Sequence, residues 1–234
     1  MKSFPESSSS LSKLLQLTDS SFPSGAFSHS FGLEGFVSDG LVSDFDSLRT
    51  YVFDQLEPSL LSMDIPYVRF SFESAVAQDW ETLSVLDQEL DALKLCQELR
   101  DASVRLGSQR LSMLHTLYPC PLFDRLHGMQ KKGCVMGHGA WVHGATGPAM
   151  GWSMQEVVTS YYYSTISSSV AASMKLIRIG QVAAQKLLAE ALSGAAHKIA
   201  QSVKVERSKV GCLLPLFDIC SSRHETAYSR LFIS

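Results

Sequence analysis

Apolar side chains recur every three to four residues along most of the chain, which is the period of an amphipathic α-helix. No hairpin signal interrupts this pattern, since Asp39-Gly40 follows a helical stretch and is typical of a helix C-terminus. We therefore expect an all-α fold, a single-domain bundle of roughly ten helices. The pattern predicts the main helices at 44–56, 59–77, 80–93, 94–117, 122–132, 154–176, 178–193, 195–207 and 214–227.

Proline and glycine set the expected boundaries between these helices. Pro58 predicts a break after the first of them, and Gly194 predicts the end of the helix at 178–193. Glycine and alanine are concentrated over residues 134–151, which indicates a central helix packed tightly against several neighbours, with a kink at Pro148. The Ser-x-x-Glu pattern from Ser153 is a capping box, so a new helix is expected to begin just after it.

The two ends of the chain differ in composition from its middle. Residues 1–10 are rich in serine and predict a disordered N-terminal tail. Residues 11–234 show no internal repeat or low-complexity linker and are expected to form the single helical domain. Within it, about residues 228–234 predict a flexible C-terminal tail.

Composition narrows the class of protein. The chain has 234 residues, of which 45% are hydrophobic and 18% charged, with a net charge of −3. The hydrophobic content is enough for a sizeable core. The net charge lacks the basic excess of a nucleic-acid binder, and the sequence shows neither a polybasic segment nor an apolar run long enough to span a membrane. The five cysteines are odd in number and widely spaced, so reduced thiols and a cytoplasmic location are expected.

No catalytic motif stands out. Ser28, His29 and Ser30 place hydroxyls beside an imidazole. Neighbouring residues on a helix point about 100° apart and do not form a nucleophile–base pair. The chain has no nucleophile elbow, phosphate-binding loop or dinucleotide fingerprint. We therefore do not expect an enzyme.

The best metal-ligand pattern consists of Cys134, His138 and His143. The first two share a helical face, and a thiolate with two imidazoles suits nickel or zinc. One interpretation is a stand-alone nickel- or zinc-binding metallochaperone. The other is a buried thiol with two hydrogen-bonded structural histidines.

The most distinctive stretch is residues 14–37. A leucine-rich turn leads through Asp19 to a turn at residues 22–25 (FPSG) and then to residues 28–34 (SHSFGLE). It has the features of a packed helix–turn–helix corner. It also resembles the N-terminal signature of the UreF family of urease accessory proteins.

The resemblance extends over about residues 11–234. Residues 223–234 (RHETAYSRLFIS) are similar to the closing signature of that family, and residues 98–107, 138–151 and 179–185 resemble its internal helices. The resemblance implies a helical adaptor that catalyses no reaction. Such adaptors bind the urease accessory protein D/H, recruit the nickel-carrying GTPase UreG, act as homodimers, and serve nickel insertion into apo-urease. Nickel would then be handled by the complex, and no intrinsic cofactor is expected.

The resemblance also implies partner-binding residues near the two ends of the chain. Phe27 and Arg230 match family positions at the surface that recruits the GTPase, with core packing of Phe27 and solvation of Arg230 as the alternatives. His224 and Glu225 are also interpreted as an anchor of the C-terminal tail. The full set of expected partner-binding residues is Phe27, His29, Glu34, His224, Glu225, Tyr228, Arg230, Leu231 and Phe232.

Overall fold

The computed structural model describes residues 6–19, 22–23, 29–225 and 230–232. Over these ranges the chain forms helices, turns and loops without a strand, which confirms the all-α, single-domain prediction. Counting the unbroken run 45–77 as one helix, α3, gives ten helices. The others are α1 (Glu6–Thr18), α2 (Leu33–Ser38), α4 (Trp80–Leu93), α5 (Gln97–Leu117), α6 (Pro121–Lys131), α7 (Gly139–Thr146), α8 (Met154–Leu176), α9 (Gln181–Ser202) and α10 (Pro215–His224).

The break predicted at Pro58 is wrong, because α3 continues through it. The helix passes without interruption through Phe45–Tyr51, Val52–Leu56, Glu57–Ser59, Leu60–Asp64 and Ile65–Ala77, and its second and fourth segments are π-helical. Each π segment ends two residues before a proline, Pro58 in one case and Pro66 in the other. A wider π turn accommodates a residue that has no N–H and clashes with the carbonyl four residues earlier.

The predicted division at Gly194 is also wrong, because α9 is one helix of 22 residues. Buried residues lie on both sides of the glycine, Leu187 and Ala191 before it and Ile199 after it, and the helix packs against α8 and α3. Glycine costs only about 1 kcal/mol relative to alanine inside a helix. Burial on both sides of the glycine outweighs that cost.

The glycine-rich stretch forms a shorter central helix than expected. Only the eight residues of α7 are helical, followed by a 3₁₀ turn at Pro148–Met150. The close packing itself is as predicted: a Cβ at Gly107 of α5 would lie 2.0 Å from the carbonyl oxygen of Gly137, and one at Gly144 of α7 would lie 2.1 Å from that of Val68. Both glycines therefore allow backbone-to-backbone contact between helices.

The helix starts agree with the sequence at two caps. Ser153 accepts a hydrogen bond from the Glu156 N–H, and Glu156 accepts one from the Ser153 N–H, so the predicted capping box is confirmed. Asp79 accepts from the Thr82 N–H at the start of α4. At the N-terminus α1 begins at Glu6, inside the segment expected to be disordered. Residues 1–5 lie outside the described residues, and disorder there stays a prediction.

Helices α2 and α10, which are far apart in sequence, pack against each other. Helices α2 and α10 cross so closely that a Cβ at Gly35 would lie 2.3 Å from the carbonyl oxygen of Cys220. The rings of Phe36, Tyr51 and Phe217 cluster beside this crossing, with centroids 4.9 to 6.4 Å apart. The crossing sets the polar residues of α2 against the end of α10.

Candidate functional site

Glu34 joins the C-terminal tail to the helical body. It lies in the first turn of α2 and is 6% exposed. One carboxylate oxygen accepts the backbone N–H of Leu231 at 2.6 Å, and the other accepts that of Phe232 at 2.8 Å. Hydrogen bonds to a charged acceptor are roughly twice as strong as neutral ones. A single buried side chain therefore holds the tail segment, residues 230–232, against α2.

His224 lies at the end of α10 between two carboxylates. Its Nδ1 forms a hydrogen bond of 2.8 Å with Glu98 Oε1 from α5, and its Nε2 lies 3.0 Å from Glu34 Oε2. The contact with Glu98 has hydrogen-bond alignment, whereas the contact with Glu34 does not. All three side chains are buried. This Glu34–His224–Glu98 cluster links three helices to the tail.

The tail segment presents its first two side chains outward and its third inward. Arg230 and Leu231 are exposed, and the Arg230 guanidinium lies 3.6 Å from Glu98 and donates to the Glu225 carbonyl. Phe232 is buried, with the Lys175 ammonium 5.3 Å from its ring centroid. The result is a cationic and apolar surface fixed beside the start of α2.

The remaining predicted partner-binding residues differ in accessibility. Glu225 is exposed at the end of α10. His29 is only 3% exposed, and burial together with Arg105 lowers its pKa to about 4, so its imidazole is neutral. Phe27 and Tyr228 lie outside the described residues, and their roles stay predictions, as does mobility of the tail in the absence of a partner.

The structure does not bring the three candidate metal ligands together. Cys134 is exposed, whereas His138 and His143 are buried. His138 Nε2 lies 3.1 Å from Asp91, and His143 Nε2 lies 2.9 Å from the Ser160 hydroxyl. Burial lowers the pKa of both histidines. In the part of the chain that the structure describes, no group of three or more histidine, cysteine or acidic side chains is arranged to hold a metal ion.

Two carboxylates that matter here were not singled out from the sequence. Glu98 anchors His224, and Asp87 accepts the backbone N–H groups of Gly137 and His138 at the start of α7. Both are buried acidic side chains at positions where the helical pattern places mostly apolar residues. An acidic residue at a position expected to be buried was the sequence signal that could have identified these two carboxylates.

The fold and the cluster define an all-helical protein in which α2 and residues 230–232 form one surface. Within the described ranges no helix has the length and hydropathy needed to cross a bilayer. The sequence model of the UreF family matches residues 42–192, more than half of the chain. The chain belongs to the UreF family, and its role is that of a urease accessory protein.

Full-length relatives support the same assignment. The urease accessory protein UreF of Actinobacillus pleuropneumoniae is 31% identical over 224 residues, which cover 96% of this chain and 99% of the relative. That of Paenarthrobacter aurescens strain TC1 is 29% identical over 221 residues, covering 94% and 96%. That of Bacillus sp. strain TB-90 is 28% identical over 224 residues, covering 96% and 99%.

Proposed function

We propose that this chain is a cytoplasmic, non-catalytic adaptor in urease maturation. It binds the accessory protein D/H and recruits the GTPase UreG, and as a homodimer it organises the complex that inserts nickel into apo-urease. The observation that carries the proposal is the pair of hydrogen bonds from the backbone of Leu231 and Phe232 to Glu34. It joins the two signature segments of the family into one surface.

The chemistry of this surface suits recruitment of a protein. Arg230 offers a guanidinium and Leu231 an apolar side chain, both exposed on a backbone that Glu34 fixes. A fixed segment loses less conformational entropy on binding than a free one. Aromatic residues and arginine dominate the energetics of protein interfaces, so we assign Phe27 and Arg230 to the contact with UreG.

Nickel is the cargo of the complex in this proposal, and no nickel ligand is assigned to this chain. His138 contacts Asp91, whereas His143 contacts Ser160, so the two imidazoles do not share a site. These contacts do not support the stand-alone metallochaperone. Adaptor and metallochaperone differ in one simple respect. An adaptor assembles its partner proteins without metal, whereas a stand-alone metallochaperone binds metal without any partner protein.

Reconstitution from purified components tests the proposal. The chain, the D/H protein and UreG are mixed with a chelator and separated by gel filtration, with and without this chain. We expect UreG to elute with the D/H protein only when the chain is present. Elution of UreG with the D/H protein in its absence would contradict the bridging role. Stoichiometric nickel binding by the isolated chain, without any complex, would favour the metallochaperone.

A further inference from the structure

A cavity of about 200 Å³ lies inside the bundle, between α1, α5 and α8. One bound water needs roughly 10–15 Å³ on the same measure, so the space accommodates a molecule of several heavy atoms. The cavity extends from Leu95, whose side chain is 66% exposed, to the buried Arg110 of α5. It therefore connects a buried cation with the surface of the protein.

Arg110 is a buried charge that forms no ion pair with any residue that the structure describes. It is 7% exposed, and its Nη1 donates only a long hydrogen bond of 3.4 Å to the Leu17 carbonyl. Its Nε and Nη2 have no hydrogen-bond partner among the described residues. Burial lowers its pKa to about 10, and no carboxylate offsets that effect. A buried charge without compensation is among the most costly groups in a folded protein.

The acidic residues that line the cavity do not neutralise Arg110. Asp64 forms an ion pair of 2.9 Å with Lys94. Burial raises the pKa of Asp218, and no neighbouring cation lowers it, so Asp218 is not paired with Arg110. Asp19 also lines the cavity and forms no hydrogen bond with the free edge of Arg110. None of these three described carboxylates thus supplies the negative charge that Arg110 lacks.

Two other arginines show what this edge binds. Arg49 directs its Nε and Nη2 to the carboxylate of Glu190, and Arg207 directs the same two nitrogens to Glu89 at 2.8 and 2.7 Å. These two parallel donors match the two oxygens of a planar oxyanion. In Arg110 the corresponding Nε and Nη2 have no acceptor among the described residues.

We propose that the cavity binds a small planar oxyanion of the carboxylate class, held by the Nε and Nη2 edge of Arg110. Ser103 and Tyr161 line the same space and supply hydroxyl donors. The Ser103 hydroxyl oxygen accepts the Gly139 N–H, which leaves its hydrogen for the anion, and burial raises the pKa of Tyr161, which keeps its hydroxyl protonated. This proposal does not rest on the proposed function, although the same cavity is also lined by Lys175, whose ammonium lies over the Phe232 ring.

The direct test observes the arginine itself by NMR. The Nε–H signals of the ¹⁵N-labelled full chain are recorded, and that of Arg110 is identified by its loss in Arg110→Lys. Formate, acetate and bicarbonate are then titrated against chloride at equal ionic strength, with phosphate as a tetrahedral control. We expect a saturable shift of the Arg110 signal with the planar anions, and none for Arg49, whose edge is occupied. An Arg110 signal that responds to acetate no more than to chloride would overturn the proposal.

A second measurement compares melting temperatures. Acetate should raise the melting temperature of the wild type above its value in chloride, and Arg110→Met should abolish this increase. In chloride alone, the Arg110→Met variant should be no less stable than the wild type, because it removes an uncompensated charge. Arg49→Met, the matched control, should keep the acetate response. An equal response in wild type and Arg110→Met would contradict the site, and if that variant does not fold, the NMR titration decides.

Discussion

The backbone N–H of Phe232 donates to the carboxylate of Glu34 at 2.8 Å, across 198 residues of sequence. The acceptor lies in the first turn of α2, and the donor lies two residues before Ser234. Because Glu34 also faces His224, this bond belongs to the same buried cluster that fixes the end of α10. The recruitment surface proposed for this chain depends on that cluster.

Glu34→Gln tests the link between tail and body. A glutamine amide keeps one acceptor oxygen, but its NH₂ group faces a second backbone N–H donor. We expect a loss of about 2–3 kcal/mol in the free energy of unfolding, measured with urea, because a buried donor is left unsatisfied and a charge is lost. The tail should also become susceptible to limited proteolysis.

The control for this prediction is Glu190→Gln. Glu190 pairs with Arg49 at the surface, where ion pairs contribute little, so this variant should unfold close to the wild type. If Glu34→Gln and Glu190→Gln had the same stability and the same protease resistance, the role assigned to Glu34 would be wrong.

Gly35→Ala tests the crossing that positions Glu34. The new Cβ would lie 2.3 Å from the Cys220 carbonyl oxygen and 2.8 Å from its carbonyl carbon, so α2 and α10 must separate. Overpacking of this kind costs about 1–3 kcal/mol. Gly128→Ala in α6 is the matched control, since its Cβ meets nothing within 4 Å. It should stabilise the protein by about 0.4–1 kcal/mol. A Gly35→Ala variant as stable as Gly128→Ala would disprove the close crossing.

The buried histidines predict loss of stability in acid. Burial lowers the pKa of His29 to about 4 and that of His143 well below 6.5, whereas both titrate near 6.5 in the unfolded chain. Below pH 6.5 the unfolded state therefore binds more protons than the folded state, and stability falls as the pH falls. Each such histidine contributes up to about 1.4 kcal/mol per pH unit in this window.

Urea unfolding between about pH 7 and pH 5 measures this slope. His143→Gln should reduce it, whatever its effect on stability at neutral pH. His197→Gln, at an exposed position of α9, should leave it close to that of the wild type. A slope that His143→Gln does not change would mean that this histidine is protonated in the folded state.

Deletion of residues 225–234 tests the role of the tail. We expect the truncated protein to lose its complex with the D/H protein, because the tail segment that the resemblance assigns to that contact is removed. The helical body should stay folded by far-UV circular dichroism, with some loss of stability since Glu34 loses its two donors. Normal binding of the D/H protein by this variant would refute the role of the tail.

Local signals in the sequence predicted the helical class and several helix ends. The Ser153 capping box and the Asp79 cap are encoded by side chains three residues from the groups they bind. The path of α3 through Pro58 was not predictable in the same way, because a π turn has no side-chain signature of its own and tertiary burial decides whether it forms.

The cluster could be predicted only in part. Similarity to a known family indicated Glu34 and His224, but not that Glu98 of α5 would lie between them and Arg230. Contacts between residues distant in sequence depend on how the helices pack, and the periodic pattern does not encode that. The unpaired Nε and Nη2 of Arg110 could likewise not be predicted from the sequence, since an arginine in a helix is usually solvated.

The most direct measurement is a titration of UreG onto complexes of the D/H protein with the wild type, Phe27→Ala and Arg230→Ala. We predict that each substitution weakens UreG binding by about 2 kcal/mol or more, roughly 30-fold. Binding of the D/H protein by Phe27→Ala and the melting temperature of each variant should change little. Arg223→Ala, at an exposed position of α10, is the matched control and should bind UreG as the wild type does. Unchanged affinity in both variants, or a large fall in the melting temperature of Phe27→Ala, would show that the N-terminal stretch is only a packed corner and would contradict the account.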